Sequence, residues 1–131
     1  MSNIDIGITN EKSVAVTIEN TALAMGSGTL RVFATPAMIA LCEGCCAESV
    51  EDLLDDGMTS VGTNINVAHL SASPLGASIL CKSRLVHIDG RRLDFEVEVF
   101  DNTDLIGKGK HTRFIVDAEK FFKKTYAKLK Q

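Results

Sequence analysis

Three cysteines and a glutamate lie close together in the stretch "ALCEGCCAE". Thiolates at Cys42, Cys45 and Cys46 could bind a metal ion or form a redox pair. A zinc site, however, needs four ligands, commonly as two separated pairs, and no spacing in the sequence requires Cys81 or His69 to join the three. We therefore expect buried structural cysteines in a reduced protein and no metal, with a metal or thiol-redox protein as the alternative.

Glu43 lies in the same stretch, at the edge of an apolar helical face. An unpaired carboxylate is costly to bury, so it needs either a basic partner or a chemical task. His69 closes the strand-like segment "SVGTNINVAHL", where alternation groups it with Val61, Thr63, Ile65 and Val67 on the apolar side. A carboxylate and an imidazole that face one seam between helix and sheet could act together as a general base.

Thr35 adds a hydroxyl at the start of the same helix. We expect it to be the N-cap, with Pro36 at the first helical position and free backbone N–H groups nearby that could stabilise an oxyanion. Eight residues of helix rise about 12 Å, so Thr35 and Glu43 of one chain cannot form a hydrogen bond. Either Thr35 lies off the helix axis and a residue or a water molecule bridges the two, or a second subunit supplies one of them. We predict a site at a dimer interface.

The elements that position these residues can be predicted from periodicity. A long helix over residues 36–54 follows from apolar residues at helical spacing, and Gly57 is expected to end it. Before it, alternation around Val14, Val16 and Ile18 predicts a strand, and "AMGSGT" predicts a flexible loop.

Four further strands are predicted at 59–70, 77–88, 91–101 and 104–116, without a helix between them. Such neighbours pair in antiparallel fashion, and "HIDGRR" supplies an Asp-Gly hairpin turn. A final amphipathic helix lies in "DAEKFFKKTYAKLK". The order predicts an α+β domain over residues 1–131, in which a curved antiparallel sheet of about five strands wraps a long central helix, with a C-terminal helix added. This arrangement is the hotdog fold.

Charge and hydropathy limit the classes of partner. The formal net charge of −3 argues against nucleic acid, and no apolar run is long enough to span a membrane. The N-terminal residues lack an export signal, so we expect a cytoplasmic protein. The late lysines form either a solvated face or a surface for a phosphorylated ligand or an acidic patch on a partner.

Four segments of the chain together resemble one known family. They are "VFATPAMIALCE", "SVGTNINVAHLSASPLG", "DGRRLDFEVEVFD" and "LIGKGKHTRFIVDAEKF". In composition and spacing they are similar to the hotdog-fold thioesterases that include the fluoroacetyl-CoA thioesterase.

The resemblance implies a catalytic triad of Thr35, Glu43 and His69, with Gly62 and Arg113 in contact with the substrate. The sequence departs from the pattern of this family just before Thr35. The fluoroacetyl-specific enzyme has phenylalanines there that close an apolar gate, whereas Gly26 and Thr29 cannot form one. That difference argues against fluoroacetyl selectivity.

We therefore expect an acyl-CoA thioesterase that hydrolyses a small or medium acyl-CoA at the interface of a homodimer. Coenzyme A is part of the substrate, and no other cofactor, nucleic acid or membrane is expected to take part. The alternative is a non-catalytic module of the same fold that binds acyl-CoA.

Overall fold

The computed structural model describes residues 4–130 and contains one antiparallel sheet. Its strands are β1 (Thr9–Ala15), β2 (Met58–His69), β3 (Ser78–Asp89), β4 (Arg92–Phe100) and β5 (Leu105–Asp117). They lie in the order β1-β3-β4-β5-β2, so that β1 and β2 form the two edges. The last four strands confirm the predicted ones to within one residue at each end.

A long helix, α2 (Thr35–Glu51), packs against the inner face of the sheet. Its buried residues recur at helical spacing and are Met38, Leu41, Cys42, Cys45, Cys46 and Val50. The helix ends before the expected residue 54, because Asp52 already forms its C-cap. Gly57 lies instead in the turn into β2, at φ 80°.

The sheet contributes the other half of the core. In β4 the inner residues Leu93, Phe95, Val97 and Val99 are buried, and the charged residues between them point outward, as the alternation predicted. Side chains from β3 and β5 extend the same layer. The molecule therefore has the predicted hotdog architecture, with the sheet curled around α2.

The segment before α2 differs from its prediction. Strand β1 ends at Ala15, and Ile18 lies in a 3₁₀ turn with 60% of its surface exposed. The turn forms because the Asn20 side chain accepts a hydrogen bond from the Thr17 N–H. The predicted flexible loop contains a short helix, α1 (Ala22–Met25), which Gly26 closes at φ 73°.

The C-terminal helix α3 (Ala118–Tyr126) is amphipathic as predicted and is capped by Asp117. Phe121, Phe122 and Tyr126 are all exposed, so its apolar side is not covered by the described part of the chain. No helix among residues 4–130 is both long and apolar enough to cross a membrane.

The four cysteines are free and buried, as expected for structural residues. Within residues 4–130, no group of three or more His, Cys, Asp or Glu side chains is arranged to hold a metal ion. Contact with the Cys81 side chain lowers the pKa of Cys45 to about 7, against the effect of burial. Contacts with Cys42 and Cys45, together with burial, raise the pKa of Cys81. Cys45 is fully enclosed, so reagents in solvent cannot reach its sulfur.

Burial should therefore make the native protein inert to a thiol reagent. We expect a disulfide-exchange probe such as DTNB to label none of the four cysteines rapidly under native conditions, and all four in denaturant. A thiol that reacts within seconds in the native protein would instead support the redox alternative.

Candidate functional site

Thr35 and His69 form the first part of the candidate site. The Thr35 Oγ1 atom lies 2.7 Å from His69 Nδ1, which is within hydrogen-bond distance. Thr35 is the first residue of α2 and is exposed, whereas His69 is the last residue of β2 and is half-buried. The predicted N-cap role of Thr35 is wrong, because Ala34 is the N-cap and makes no side-chain hydrogen bond. The Thr35 hydroxyl is therefore not used to cap the helix and can form its hydrogen bond with the imidazole of His69.

The surroundings of His69 favour a neutral ring. Burial lowers the pKa of His69, and an interaction with the Ser71 backbone opposes this. Its Nε2 atom is enclosed and has no hydrogen-bond partner among residues 4–130. A neutral imidazole that holds a short hydrogen bond to a hydroxyl can act as a general base.

Free backbone N–H groups lie beside the Thr35 hydroxyl. The Met38 N–H donates to the Ala34 carbonyl. Within the described residues, the N–H groups of Thr35 and Ala37 have no acceptor, and Pro36 has no N–H to offer. These groups can donate to an oxygen that gains negative charge near Thr35.

Arg113 forms a second cluster with residues of β2 and β5. Its Nε atom donates to Ser60 Oγ at 2.8 Å, and its Nη2 donates to the Ser60 carbonyl at 2.9 Å. Its Nη1 lies 3.1 Å from Nε2 of His111. Only 9% of Arg113 is exposed, so the predicted substrate-binding arginine is a buried cation.

Gly62 and Glu43 complete the second cluster. A Cβ atom on Gly62 would lie 3.1 Å from Glu43 Oε2, 3.2 Å from Arg113 Nη1 and 3.0 Å from His111 Cε1. The glycine therefore allows the carboxylate and the guanidinium to approach the same stretch of backbone. Glu43 is half-buried and makes no hydrogen bond or ion pair within residues 4–130.

A β-bulge in β2 corrects the predicted alternation. The pairing with β5 shifts between Gly62 and Asn64, so Thr63 is an extra residue. Ser60 and Gly62 face the helix before the bulge, and Ile65, Val67 and His69 face it afterwards. The predicted inward placement of Val61 and Thr63 is wrong, whereas that of His69 is confirmed.

The two clusters lie apart within one chain. Thr35 and Glu43 are separated by about 12 Å of helix. His69 and Gly62 are separated by about 20 Å along β2. The structure therefore places Thr35 in contact with His69. It places Glu43 near Gly62 and Arg113, but far from His69 of the same chain. Sequence reasoning missed His111, whose only signal was its position next to Arg113 on the inner face of a strand.

Gly62→Ala is expected to disturb the second cluster selectively. Its new Cβ would push Glu43 and Arg113 away by a few tenths of an ångström, and we expect kcat/KM to fall about 10-fold or more. Steady-state kinetics with an acyl-CoA would measure this. Gly90→Ala is a poor control because Gly90 has φ 61°, so Gly44→Ala, whose Cβ would make only ordinary contacts with the side chains of Lys12 and Glu48, is the better one. An unchanged kcat/KM in Gly62→Ala would contradict the expected role.

His111 should make the protein less stable as the pH falls. Burial lowers the pKa of His111. The hydrogen bond to the Asn64 carbonyl raises this pKa, and the positive charge of Arg113 lowers it further. In the unfolded chain the ring binds a proton near pH 6.5. Between the two pKa values the unfolded state binds more protons, so the free energy of unfolding falls as the pH drops below about 6.5. Urea unfolding at pH 7.5 and 5.5, at one protein concentration, should show a smaller fall for His111→Gln. An equal fall in both proteins would argue against this origin.

The fold and the two clusters define a class before any comparison. A curled antiparallel sheet around one helix, with a paired hydroxyl and imidazole at the start of that helix, is the form of a hotdog-fold protein.

Comparisons with known proteins agree with this class. Residues 16–119 match the family described as fluoroacetyl-CoA-specific thioesterase. A fluoroacetyl-CoA thioesterase from Streptantibioticus cattleyicolor is 39% identical over 90 residues, which cover 69% of this chain and 65% of that protein, just under two thirds of its length. The chain belongs to the fluoroacetyl-CoA-specific thioesterase family, as its resemblance predicted.

Solved structures support the same conclusion. The crystal structure of a variant of the fluoroacetyl-CoA-specific thioesterase superimposes with a TM-score of 0.91 at 30% identity, over 98% of this chain and 99% of that one. A hot-dog-like protein from Thermanaerovibrio acidaminovorans shares the fold, with a TM-score of 0.86 at 19% identity over 94% and 91% of the two chains.

Proposed function

We propose that this protein is an acyl-CoA thioesterase that hydrolyses small or medium acyl-CoA thioesters at a site shared by two subunits. The observation that carries the proposal is the 2.7 Å contact between the Thr35 hydroxyl and His69, at a helix start with free N–H groups. Membership of the family supports it, since a related thioesterase has been solved with fluoroacetate and CoA, and another variant of it with acetyl-CoA.

The second subunit is needed because each chain holds an incomplete set of groups. Strand β2 is an edge of the sheet, and an edge strand presents unpaired backbone groups that can extend a sheet into a second copy. Antiparallel pairing of two β2 strands, about a two-fold axis between Thr63 and Val67, would bring the His69 end of one toward the Gly62 end of the other. Glu43 of one subunit would then approach His69 of its partner.

The unpaired groups of the two clusters fit this assembly. The Thr35 hydroxyl donates to His69 Nδ1 when the ring carries its proton on Nε2, and that N–H then needs an acceptor. The carboxylate of Glu43 has no hydrogen-bond or ion-pair partner within residues 4–130 and would supply that acceptor. Because Nε2 is enclosed, the groups that cover it must move aside when the subunits pair, while the contact between Nδ1 and Thr35 stays in place. Glu43 would then hold the ring and stabilise its charged form.

The reaction follows from these positions. His69 takes the proton of the Thr35 hydroxyl, or of a water molecule held by it, as oxygen attacks the thioester carbonyl. The N–H groups of Thr35 and Ala37 donate to the oxyanion that forms. The tetrahedral intermediate then expels the coenzyme A thiolate, which takes the proton from the imidazolium. When water attacks, this step gives the carboxylic acid directly. When Thr35 attacks, it leaves an ester on Thr35, which a water molecule deprotonated by His69 then hydrolyses. By either route a thioester and a water molecule yield a carboxylic acid and a thiol.

Gly62 and Arg113 would contact the substrate from the second subunit. The buried guanidinium retains N–H groups that no described residue of its own chain accepts, and these can donate to a polar substrate atom. Lysines near the C-terminus would meet the phosphates of coenzyme A. No metal or redox cofactor takes part in this proposal.

The segment before Thr35 bears on the acyl group. Helix α1 and its loop leave Leu23, Met25 and Leu30 exposed, and no phenylalanine lies among them. Aliphatic side chains form a looser cover than stacked aromatic rings. We therefore propose that the enzyme accepts acyl groups beyond fluoroacetyl and does not select for fluorine.

A panel of acyl-CoA substrates tests the function directly. Release of free coenzyme A should exceed background for at least one small or medium acyl chain, and Thr35→Ala should abolish the excess. Ligand binding measured by calorimetry without thiol release for any chain would favour the non-catalytic module and overturn the proposal.

A further inference from the structure

His111 lies at the centre of the second cluster, but neither sequence motifs nor the reaction above gave it a task. Only 1% of the residue is exposed, and its ring stacks on Phe95 with centroids 6.5 Å apart. Its Nδ1 atom lies 2.7 Å from the carbonyl oxygen of Asn64, at the bulge in β2. Its Nε2 atom lies 3.1 Å from Nη1 of Arg113.

These two partners determine where the ring proton lies. A carbonyl oxygen only accepts hydrogen bonds, so Nδ1 must carry the proton that it donates to Asn64. A guanidinium only donates, so Nε2 must be unprotonated and accept from Arg113. A second proton would place an N–H against the guanidinium and add a like charge beside it. Burial and the charge of Arg113 accordingly lower the pKa of His111, while the Asn64 carbonyl and Glu43 oppose this.

His111 therefore meets Arg113 with an uncharged acceptor. Every hydrogen bond that Arg113 makes with the described residues goes to a neutral atom, of Ser60 or of His111. No carboxylate among residues 4–130 forms an ion pair with it. Of the five N–H groups of a guanidinium, three are held in this way and two are left over. The guanidinium is thus held in one orientation by neutral groups, and the nearby Glu43 carboxylate interacts with its charge without forming an ion pair.

The Nη1 end of the Arg113 guanidinium faces the proposed substrate position beside Gly62. Nη1, which His111 holds, lies 3.2 Å from the point where a Cβ on Gly62 would stand, and the Glu43 carboxylate approaches the same point. Resting on the proposed function, we propose that His111 is a positioning residue that turns the Arg113 guanidinium toward Gly62 and keeps its charge available to the acyl-CoA. It acts through Arg113 and does not itself exchange protons with the substrate.

Kinetics of two variants and their combination test this proposal. His111→Phe keeps the ring volume and the contact with Phe95 but removes both hydrogen bonds. We expect kcat/KM to fall about 10-fold or more, mainly through KM, and His111→Gln, which restores an acceptor and a donor, to recover part of the loss. In an Arg113→Met background, His111→Phe should have little further effect. His87→Phe, at an exposed histidine on β3, is the matched control.

A spectroscopic measurement separates this proposal from the thioesterase function. Nitrogen-15 NMR of the imidazoles in the wild-type protein should show His111 with its proton on Nδ1 at pH 7.5, and Arg113→Met should raise its pKa. A proton on Nε2, or additive kinetic losses in the double variant, would overturn the positioning role. If the wild-type protein hydrolyses no acyl-CoA, the proposed thioesterase function is wrong. The NMR result still decides how His111 and Arg113 interact. If His111→Phe does not fold, the NMR measurement on the wild-type protein and on His111→Gln still tests the proposal.

Discussion

His69→Ala is expected to lower the turnover of acyl-CoA at least about 100-fold, because it removes the proposed general base and leaves the Thr35 hydroxyl without an acceptor. The loss should lie in kcat as well as in kcat/KM, since proton transfer occurs in the transition state rather than on binding. Steady-state release of coenzyme A would measure it. The half-buried position of His69 at the end of a strand means that the fold should survive.

Two controls make this result specific. His87→Ala changes an exposed histidine on another strand and should leave kcat unchanged. Circular dichroism and the oligomeric state of His69→Ala should match those of the wild-type protein. A His69→Ala variant with a near-normal rate would show that another group takes the proton.

Glu43→Ala is also expected to lower turnover at least about 100-fold, although Glu43 does not contact His69 in its own chain. The reason is that Glu43 would act on the partner subunit's site. A sharper consequence follows for mixed dimers. A dimer of one Glu43→Ala chain and one His69→Ala chain contains one complete site, made from the intact Glu43 of one and the intact His69 of the other.

Mixing the two inactive variants, with exchange of subunits, should therefore recover about a quarter of the wild-type activity, because half of the dimers are mixed and each has one working site. If each site lay within one chain, the mixture would stay inactive. Glu48→Ala is the matched control for the carboxylate, since Glu48 lies on the same helix, is exposed and pairs only with Lys12 at the surface. It should lose little activity.

Periodicity was sufficient to predict the sheet and the central helix. Strand β4 alternates strictly between apolar and charged residues, and α2 repeats its buried residues at helical spacing, so the pattern determined both the elements and their inner faces. Strand β1 was less clear because its own residues are mostly polar. The hydrophobic signal lay instead in Val16 and Ile18, beyond its end.

The site was harder to predict because it depends on contacts distant in sequence. Residue types suggested Thr35, Glu43 and His69, and helix geometry already excluded a contact between the first two in one chain. The bulge at Thr63 carries no sequence signal, so alternation placed Val61 on the wrong face. His111 could be recognised only once Asn64 and Arg113 were seen on either side of its ring.

The extra residue at Thr63 also marks a position at which related chains can differ in length. Gly62 and His69 lie seven positions apart, an odd number, and both face the helix only because the bulge takes up one residue between them. If one residue were deleted there, plain alternation with the same pairing to β5 would keep both on the inner face. The identity of the side chain at this position is open to drift, since it is exposed. A related chain that lacks a residue there should therefore still hold its counterparts of Gly62 and His69 on the inner face, with a straighter strand between them.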